Sequence, residues 1–275
     1  MLIGIIGYGF VGQATSLLKC KGIDILIYDV DETKSTVNCI DELIDCEILF
    51  ISVPTPTTAN NECNISIIES IMNKLREINY INFVVIRSTV PPGTCDKLKC
   101  YFMPEFLTEK NYENDFVNNE HWIFGMLDDC YVFKEKIKFL IDTAYNNNKI
   151  KYNSIVLLPN KEAELIKYFR NSFLATKVAF CNEIYELCNK ININYEHVRQ
   201  YATMDKRINE SHTHVPGHDG KMGFGGTCFP KDIRCLKNEY DKHDLHAHIL
   251  NAVIDRNTYD RPEEEWMHNN RSFMN

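Results

Sequence analysis

Apolar runs and helix-spaced stretches alternate along the first half of the chain. Residues 2–6, 25–28, 48–53, 83–86, 101–103 and 122–124 are short and apolar but for Ser52, the pattern of strands buried on both faces. Their alternation with helix-length segments predicts a parallel sheet with crossover helices. The polar run Asn146-Asn147-Asn148-Lys149 interrupts this rhythm before one last strand-like run, 155–158, closed by Pro159. A domain boundary is expected there, with a sheet domain over 1–159 and a mainly α-helical domain over 160–275.

From about residue 161 to 190 the pattern becomes that of one long helix. Leu165, Phe169, Phe173, Thr176, Phe180, Ile184 and Leu187 recur at three- and four-residue steps, and the opposite face carries Leu174, Val178 and Tyr185. A helix apolar on both sides is expected to be buried, at the centre of the molecule or in a subunit contact. A homodimer through this helix is the corresponding expectation. The segment from Asp255, with Arg261-Pro262-Glu263-Glu264-Glu265, is expected to be solvated and to fray.

The bulk numbers narrow the function. The chain has 275 residues, 44% apolar and 25% charged, enough for two globular domains. A net charge of −8 without a basic run argues against nucleic acid and for a small-molecule partner. The 11 cysteines contain no C-x-x-C pair, which fits neither a zinc ribbon nor a disulfide framework, so reduced thiols are expected. Residues 2–6 lack a basic flank and run straight into Gly7, the mark of a first strand and not of a signal peptide. No stretch approaches the roughly 20 apolar residues of a membrane span. A cytoplasmic location is the expectation.

Gly7-Tyr8-Gly9-Phe10-Val11-Gly12 directly follows the first apolar run and precedes a helix-compatible stretch. Glycines so spaced allow a tight turn, close approach to a pyrophosphate and close helix packing. Asp29, at the end of the second run, is placed to accept hydrogen bonds from an adenosine ribose. Val30-Asp31-Glu32 adds negative charge and no arginine, which favours NAD over NADP. Nothing later in the chain calls for a flavin. The fold class expected is α/β, with an N-terminal Rossmann-type parallel sheet domain followed by a mainly helical domain with one long central helix.

Lys167 and Asn171 lie four apart on the long helix and project from one face. Burying a lysine costs several kcal/mol unless it is paired or used; the choice is between a lysine that snorkels to solvent and a pair of donors to a developing alkoxide. Cys228 follows the glycine-rich run Gly223-Phe224-Gly225-Gly226-Thr227 and precedes Phe229-Pro230-Lys231-Asp232. Pro230 suits the first position of a helix, so the sulfur would feel a helix N-terminus and Lys231, both of which favour the thiolate. An inert core thiol is the alternative. Asp232 falls in the first helical turn, where it could take a proton from a water or hydroxyl. A covalent cysteine has no part in simple hydride transfer, but it serves when an aldehyde must be held and oxidised again. The histidines His212, His214, His218, His243, His246 and His248 complete no familiar ligand spacing, and no metal is expected.

Six ordered blocks resemble the UDP-glucose/GDP-mannose dehydrogenase family: 7–12, Val53-Pro54-Thr55-Pro56-Thr57, Ser88-Thr89-Val90-Pro91-Pro92-Gly93-Thr94, Pro104-Glu105-Phe106-Leu107-Thr108-Glu109, residues 162–171 and the Cys228 segment. The resemblance implies an NAD-dependent enzyme that oxidises a nucleotide-sugar primary alcohol, of the UDP-glucose type, to the carboxylate in two hydride transfers. It implies that Lys167 and Asn171 stabilise the alkoxide and later the oxyanion, that Asp232 acts through a water, and that Cys228 attacks the aldehyde to give a thiohemiacetal and then a thioester. Glu109, Asp232 or both would assist hydrolysis, and Thr89 would hold the catalytic water or the nicotinamide side. Gly7, Gly9, Phe10, Val11, Gly12, Asp29, Val53, Pro54, Thr55, Ser88, Thr89, Glu109 and Lys231 would line the cofactor. Glu105, Phe106, Leu107, Lys167, Asn171, Phe224, Gly225 and Gly226 would line the substrate, with Arg207 reaching it from a neighbouring subunit.

Two departures accompany the resemblance. The chain stops soon after 251–257, so the family's further nucleotide-gripping domain is expected to be absent, and the segment between Asp29 and Ile48 is short. Two other readings stay open. A β-hydroxyacid dehydrogenase shares the length, the N-terminal domain and a Lys-x-x-x-Asn pair, but has one hydride transfer and no use for Cys228. A truncated, non-catalytic or partner-dependent relic would keep the cofactor domain and lose turnover.

Overall fold

Short apolar strands alternate with helices as far as residue 159, and one long helix follows. The computed structural model describes residues 1–269 and 271–274. In chain order the elements are β1 (Leu2–Ile6), α1 (Phe10–Ser16), β2 (Asp24–Tyr28), β3 (Ile48–Ile51), α2 (Ser66–Glu77), β4 (Phe83–Ile86), α3 (Thr94–Leu98), β5 (Tyr101–Phe102), α4 (Tyr112–Val117), β6 (His121–Met126), α5 (Tyr131–Asn146), β7 (Ser154–Pro159), α6 (Asn160–Lys190), α7 (Tyr195–Ala202), α8 (Phe229–Lys242) and α9 (His248–Asp260). Short 3-10 turns at Glu32–Lys34 and Ile40–Leu43 fill the connection between β2 and β3.

The chain divides into two compact units, residues 1–55 with 65–167, and residues 56–64 with 168 onward. The expected boundary at 159/160 is the junction of β7 with α6; the units divide within α6, after Lys167, and 56–64 belongs to the second.

In the first unit the strands form one sheet in the order β2-β1-β3-β4-β5-β6-β7. Every pair is parallel except β5 with β6, which run antiparallel through Phe102 and Gly125, so the sheet departs from the fully parallel expectation at that point. Both faces are covered, which explains the unbroken apolar runs. On one side Ile3, Ile5, Ile48 and Phe50 pack with Ala14 of α1, Leu18 just beyond that helix, Phe116 of α4 and Phe133, Ile137, Leu140 and Ile141 of α5. On the other, Ile6, Leu49, Ile51, Val84 and Ile86 pack with Ile68, Ile71, Met72 and Leu75 of α2 and Ala163 of α6. The spacing of those four α2 residues is the stripe of an amphipathic helix. Strand order reverses at β1 and β3, and a sheet of this kind opens a crevice at the carboxyl ends of its strands there.

In the second unit, Ala175, Ala179, Phe224, Ile233 and Val253 form a small core with Phe229, Leu250 and Ile254. Burial of α6 at the centre of the molecule, one of its two expected placements, and the solvated tail are corrected. The large apolar stripe of α6 is not buried within the chain: Phe169 is 66% exposed, Phe173 57% and Phe180 61%. The face turned inward is small and polar, with Ala163, Glu164, Lys167, Asn171, Ser172, Ala175, Ala179 and Asn182 all buried. Nor is the segment after Asp255 solvated throughout. Arg261, Trp266, Ser272 and Phe273 are buried, the Thr57 amide donates to the Ser272 carbonyl at 2.7 Å, and the Met274 amide donates to the Thr57 carbonyl at 2.9 Å. The Arg234 guanidinium lies over the rings of Trp266 and Phe273, 5.7 and 5.8 Å from their centres. The charged run misleads because its arginine turns inward to partners that sequence spacing does not reveal.

Candidate active site

The glycine turn in the first unit joins β1 to α1. Gly7 has φ of +90°, and a Cβ there would meet the Ser52 carbonyl oxygen at 2.7 Å; a Cβ on Gly12 would meet the Gly7 carbonyl oxygen at 2.1 Å. A Cβ on Gly9 would meet nothing within 4 Å, so the space above it is open. Two glycines are therefore required by the fold, and the third leaves a cradle that a side chain would fill. Phe10 and Val11 begin α1. The Asp29 carboxylate accepts from the Tyr8 amide at 2.5 Å and from the Asp31 amide at 2.9 Å, which ties the end of β2 to the turn.

Loops after β3 and β4 are laced together in the same unit. Thr55 Oγ1 donates to the Thr89 carbonyl at 2.8 Å and Ser88 Oγ donates to the Val53 carbonyl at 2.7 Å. Ser88 and Thr89 are buried, and Pro54 is exposed. Arg87, just before them, escaped the sequence reading. It is 2% exposed, donates to Thr15 Oγ1 of α1 and stands over the Phe116 ring at 5.6 Å. Burial pulls its guanidinium down to about 10, with Glu105 opposing the shift. The signal available was a cation at the end of a fully apolar strand.

Lys167 is buried against Glu105, not snorkelling. Its Nζ donates to the Glu105 carbonyl at 2.8 Å and pairs with Oε1 of the same carboxylate, whose Oε2 accepts from the Leu107 amide at 2.9 Å. Phe106 and Leu107 are half-buried and Glu109 is exposed on the turn that follows. Glu164, one turn earlier on α6, accepts from the Gly93 and Cys95 amides at 2.5 and 2.8 Å. Burial raises its carboxyl despite those bonds.

The second unit gathers another set. Asp232 is wholly buried; its Oδ2 accepts from Asn171 Nδ2 and its Oδ1 from Lys231 Nζ, each at 2.5 Å. Burial lowers the Lys231 ammonium, but Asp232, Cys63 and Cys235 outweigh it and the net shift is upward. The cation near Cys228 is thus committed to a carboxylate. Cys228 is half-buried at the N-cap of α8 with Pro230 in the first turn, and its carbonyl accepts from the Asp232 amide at 2.8 Å.

Three residues unnoticed in the sequence shape the glycine run before Cys228. Asn257 accepts from the Phe224 amide at 2.7 Å and donates to its carbonyl at 3.0 Å; Asn182 accepts from the Gly223 amide at 3.0 Å; Arg261 donates to the Met222 carbonyl at 2.6 Å. A Cβ on Gly225 would meet Arg261 Nη1 at 2.5 Å, while Gly226, at φ +75°, has open space above it. Helical spacing alone does not separate these three from ordinary surface polar residues. Arg207 is exposed and bonded to Asp205. Among the described residues no three His, Cys, Asp or Glu side chains could hold a metal ion.

Two family models match. Residues 34–140 match the NAD binding domain of the UDP-glucose/GDP-mannose dehydrogenase family, and residues 161–259 its central domain. UDP-glucose 6-dehydrogenase of Rickettsia conorii is 34% identical over 239 residues, 82% of this chain and 52% of that protein. The Pseudomonas aeruginosa enzyme of the same name is 30% identical over 240 residues, 81% of this chain and 51% of that one. The chain thus spans about half the length of the curated relatives it matches. A UDP-glucose dehydrogenase structure from Pyrobaculum islandicum superposes with a TM-score of 0.80 at 23% identity, over 94% of this chain and 68% of that one. The fold is shared more widely: Mycobacterium tuberculosis 3-hydroxyisobutyrate dehydrogenase gives 0.74 at 13% identity, over 96% of this chain and 94% of that one. With its NAD binding and central domains both matched, the chain belongs to the UDP-glucose/GDP-mannose dehydrogenase family.

Proposed function

We propose that this chain oxidises the primary alcohol of a nucleotide sugar to the carboxylate in two NAD-dependent steps, with Cys228 as the covalent nucleophile. The observation that carries the reading is a half-buried Cys228 at the N-cap of α8, four residues before a buried Asp232 that is held by Asn171 of α6 and by Lys231. A fully buried carboxylate held by an amide and an ammonium keeps its geometry, and a thiol at a helix N-terminus is favoured as thiolate.

Gly9, with open space above it, and Asp29, Thr55, Ser88 and Thr89 would hold NAD, which would supply the acceptor for each hydride. The chain's own groups manage charge and protons. Lys167, oriented by Glu105, and Asn171 donate to the oxygen as it becomes alkoxide and, later, oxyanion. Asp232 draws off the hydroxyl proton through a water. Cys228 Sγ adds to the aldehyde carbon, the thiohemiacetal gives up the second hydride to become a thioester, and a water directed by Glu109, Asp232 or both releases the acid and restores the thiol.

The exposed apolar stripe of α6 supports a homodimer through that helix, with Arg207 serving the partner's site. All 11 cysteines are free thiols, which supports a reducing, cytoplasmic location, and among the described residues no helix is long and apolar enough to cross a membrane. A single-transfer reading is favoured by the fold shared with the hydroxyisobutyrate enzyme and by the Lys167 and Asn171 pair, but it leaves Cys228 without a role. The test is NADH formed per sugar consumed, with UDP-glucose, UDP-N-acetylglucosamine, UDP-N-acetylmannosamine and GDP-mannose. Two NADH per sugar are expected, one would favour the single transfer, and none from any sugar would overturn the proposal.

A further inference from the structure

The second unit holds a thiol pair that the mechanism does not use. Residues 56–64 form a tight hairpin in which Thr57 and Cys63 pair antiparallel, the Thr58 amide donates to the Glu62 carbonyl and the Asn64 amide to the Pro56 carbonyl, both at 2.8 Å. Thr57 Oγ1 lies 3.3 Å from Cys235 Sγ of α8, and Cys63 packs against the Cys235 and Tyr168 cluster within hydrogen-bond reach of Cys235. Cys235 is buried and Cys63 half-buried.

The two thiols are unlike. The hydrogen bond from Cys235 brings Cys63 down to about 7 against the effect of burial, with help from the Lys231 ammonium. The same hydrogen bond and burial push Cys235 well up. Cys63, the more exposed of the two, is the sulfur that a small disulfide can reach, and Cys235 lies beside it to resolve the mixed disulfide.

We propose that Cys63 and Cys235 are an oxidation site, converted by a low-molecular-weight disulfide into an intramolecular disulfide that ties the 56–64 hairpin to α8. The Cys63 thiolate attacks one sulfur of the small disulfide and expels one thiolate. Cys235 then gives up its proton and attacks Cys63 Sγ, expelling the second thiol. Two protein thiols lose two electrons, and the small disulfide becomes two thiols. In reducing surroundings such a bond is transient, as redox-sensing disulfides are. Cys235 lies three residues beyond Asp232 on α8, and the disulfide withdraws a negative charge from Lys231. Slower turnover is the consequence, and that consequence alone rests on the role proposed for Asp232.

The test treats the full chain with oxidised glutathione, blocks remaining thiols with iodoacetamide under denaturing conditions and maps the peptides by mass spectrometry. A Cys63–Cys235 linked peptide, lost on addition of dithiothreitol, is expected; in Cys235→Ser, Cys63 should stop at the glutathione mixed disulfide. No linked peptide, or Cys63 joined equally well to other cysteines, overturns the proposal, and the unsubstituted chain alone decides this if the variant does not fold. NADH formation read on samples whose peptide map shows Cys228 unmodified should fall about tenfold on oxidation, a barrier change of about 1.4 kcal/mol, and in Cys63→Ser, with Cys228 likewise unmodified, should not change with oxidised glutathione. Equal rates for oxidised and reduced chains overturn the link to Asp232. A reduced chain without turnover sinks the dehydrogenase reading instead, and the peptide map still decides the oxidation site.

Discussion

The two faces of α6 reverse the usual rule of burial. Outward, Phe169 and Phe173 stack with ring centres 6.1 Å apart, and Phe180 and Leu187 continue the exposed stripe. Inward, Glu164, Lys167, Asn171 and Asn182 are buried, each with a named hydrogen-bond partner. Ala163, Ala175 and Ala179 between them are small enough to let neighbouring elements come close. Polar groups can line an interior when their partners are already in place, since the desolvation cost is then offset by hydrogen bonds. An exposed apolar stripe is the kind of surface that the proposed homodimer would cover.

Lys167→Met, which keeps the volume and strands the Glu105 carboxylate, should have the largest effect on the inward face. A loss of about 3 kcal/mol in urea unfolding is expected, together with a fall of about 10²- to 10³-fold in kcat; a stability change within error would remove the inward face from the argument. Asn182→Ala comes next. It leaves the Gly223 amide unpaired and should cost about 2 kcal/mol, read by the same unfolding curve.

Glu164→Gln should cost about 1 kcal/mol at acid pH, and its effect carries a sign. Burial holds the folded-state carboxyl of Glu164 above its ordinary value. Its stabilising contribution is therefore complete below the unfolded pKa and is lost as pH rises through the folded one. The stability gap between parent and variant should narrow from acid toward neutral pH; a gap that widens would contradict the burial argument. The smallest folding effect belongs to the outward face. Phe173→Asp should change unfolding free energy by less than about 0.5 kcal/mol, while light scattering should show dimer replaced by monomer. A variant that unfolds instead would mean the stripe supports the chain's own core.

Much of the first unit was legible because it is a local matter. Residues 48–51 have no alternative to a two-sided buried strand, and Gly7 and Gly12 stand where any Cβ would strike backbone. Local spacing also singled out Lys167, Asn171, Cys228 and Asp232, since four-residue steps and a proline after a glycine run carry their own geometry. It did not single out Arg87, Asn182, Asn257 or Arg261. Each is an ordinary polar residue until its partner, more than 30 residues away in the chain, is known.

Local pattern thus carried the succession of strands and helices, the glycine turn and the identity of the polar side chains on α6 and α8. Only the tertiary structure decided which side of α6 is interior, that Lys231 is held by Asp232, and that Arg261 and Phe273 turn inward. Apolar periodicity measures how strongly a face avoids water, and the packed chain also weighs where the polar partners lie. Glu105 meets Lys167 in the first unit, and Asp232 and the Gly223 amide meet Asn171 and Asn182 in the second.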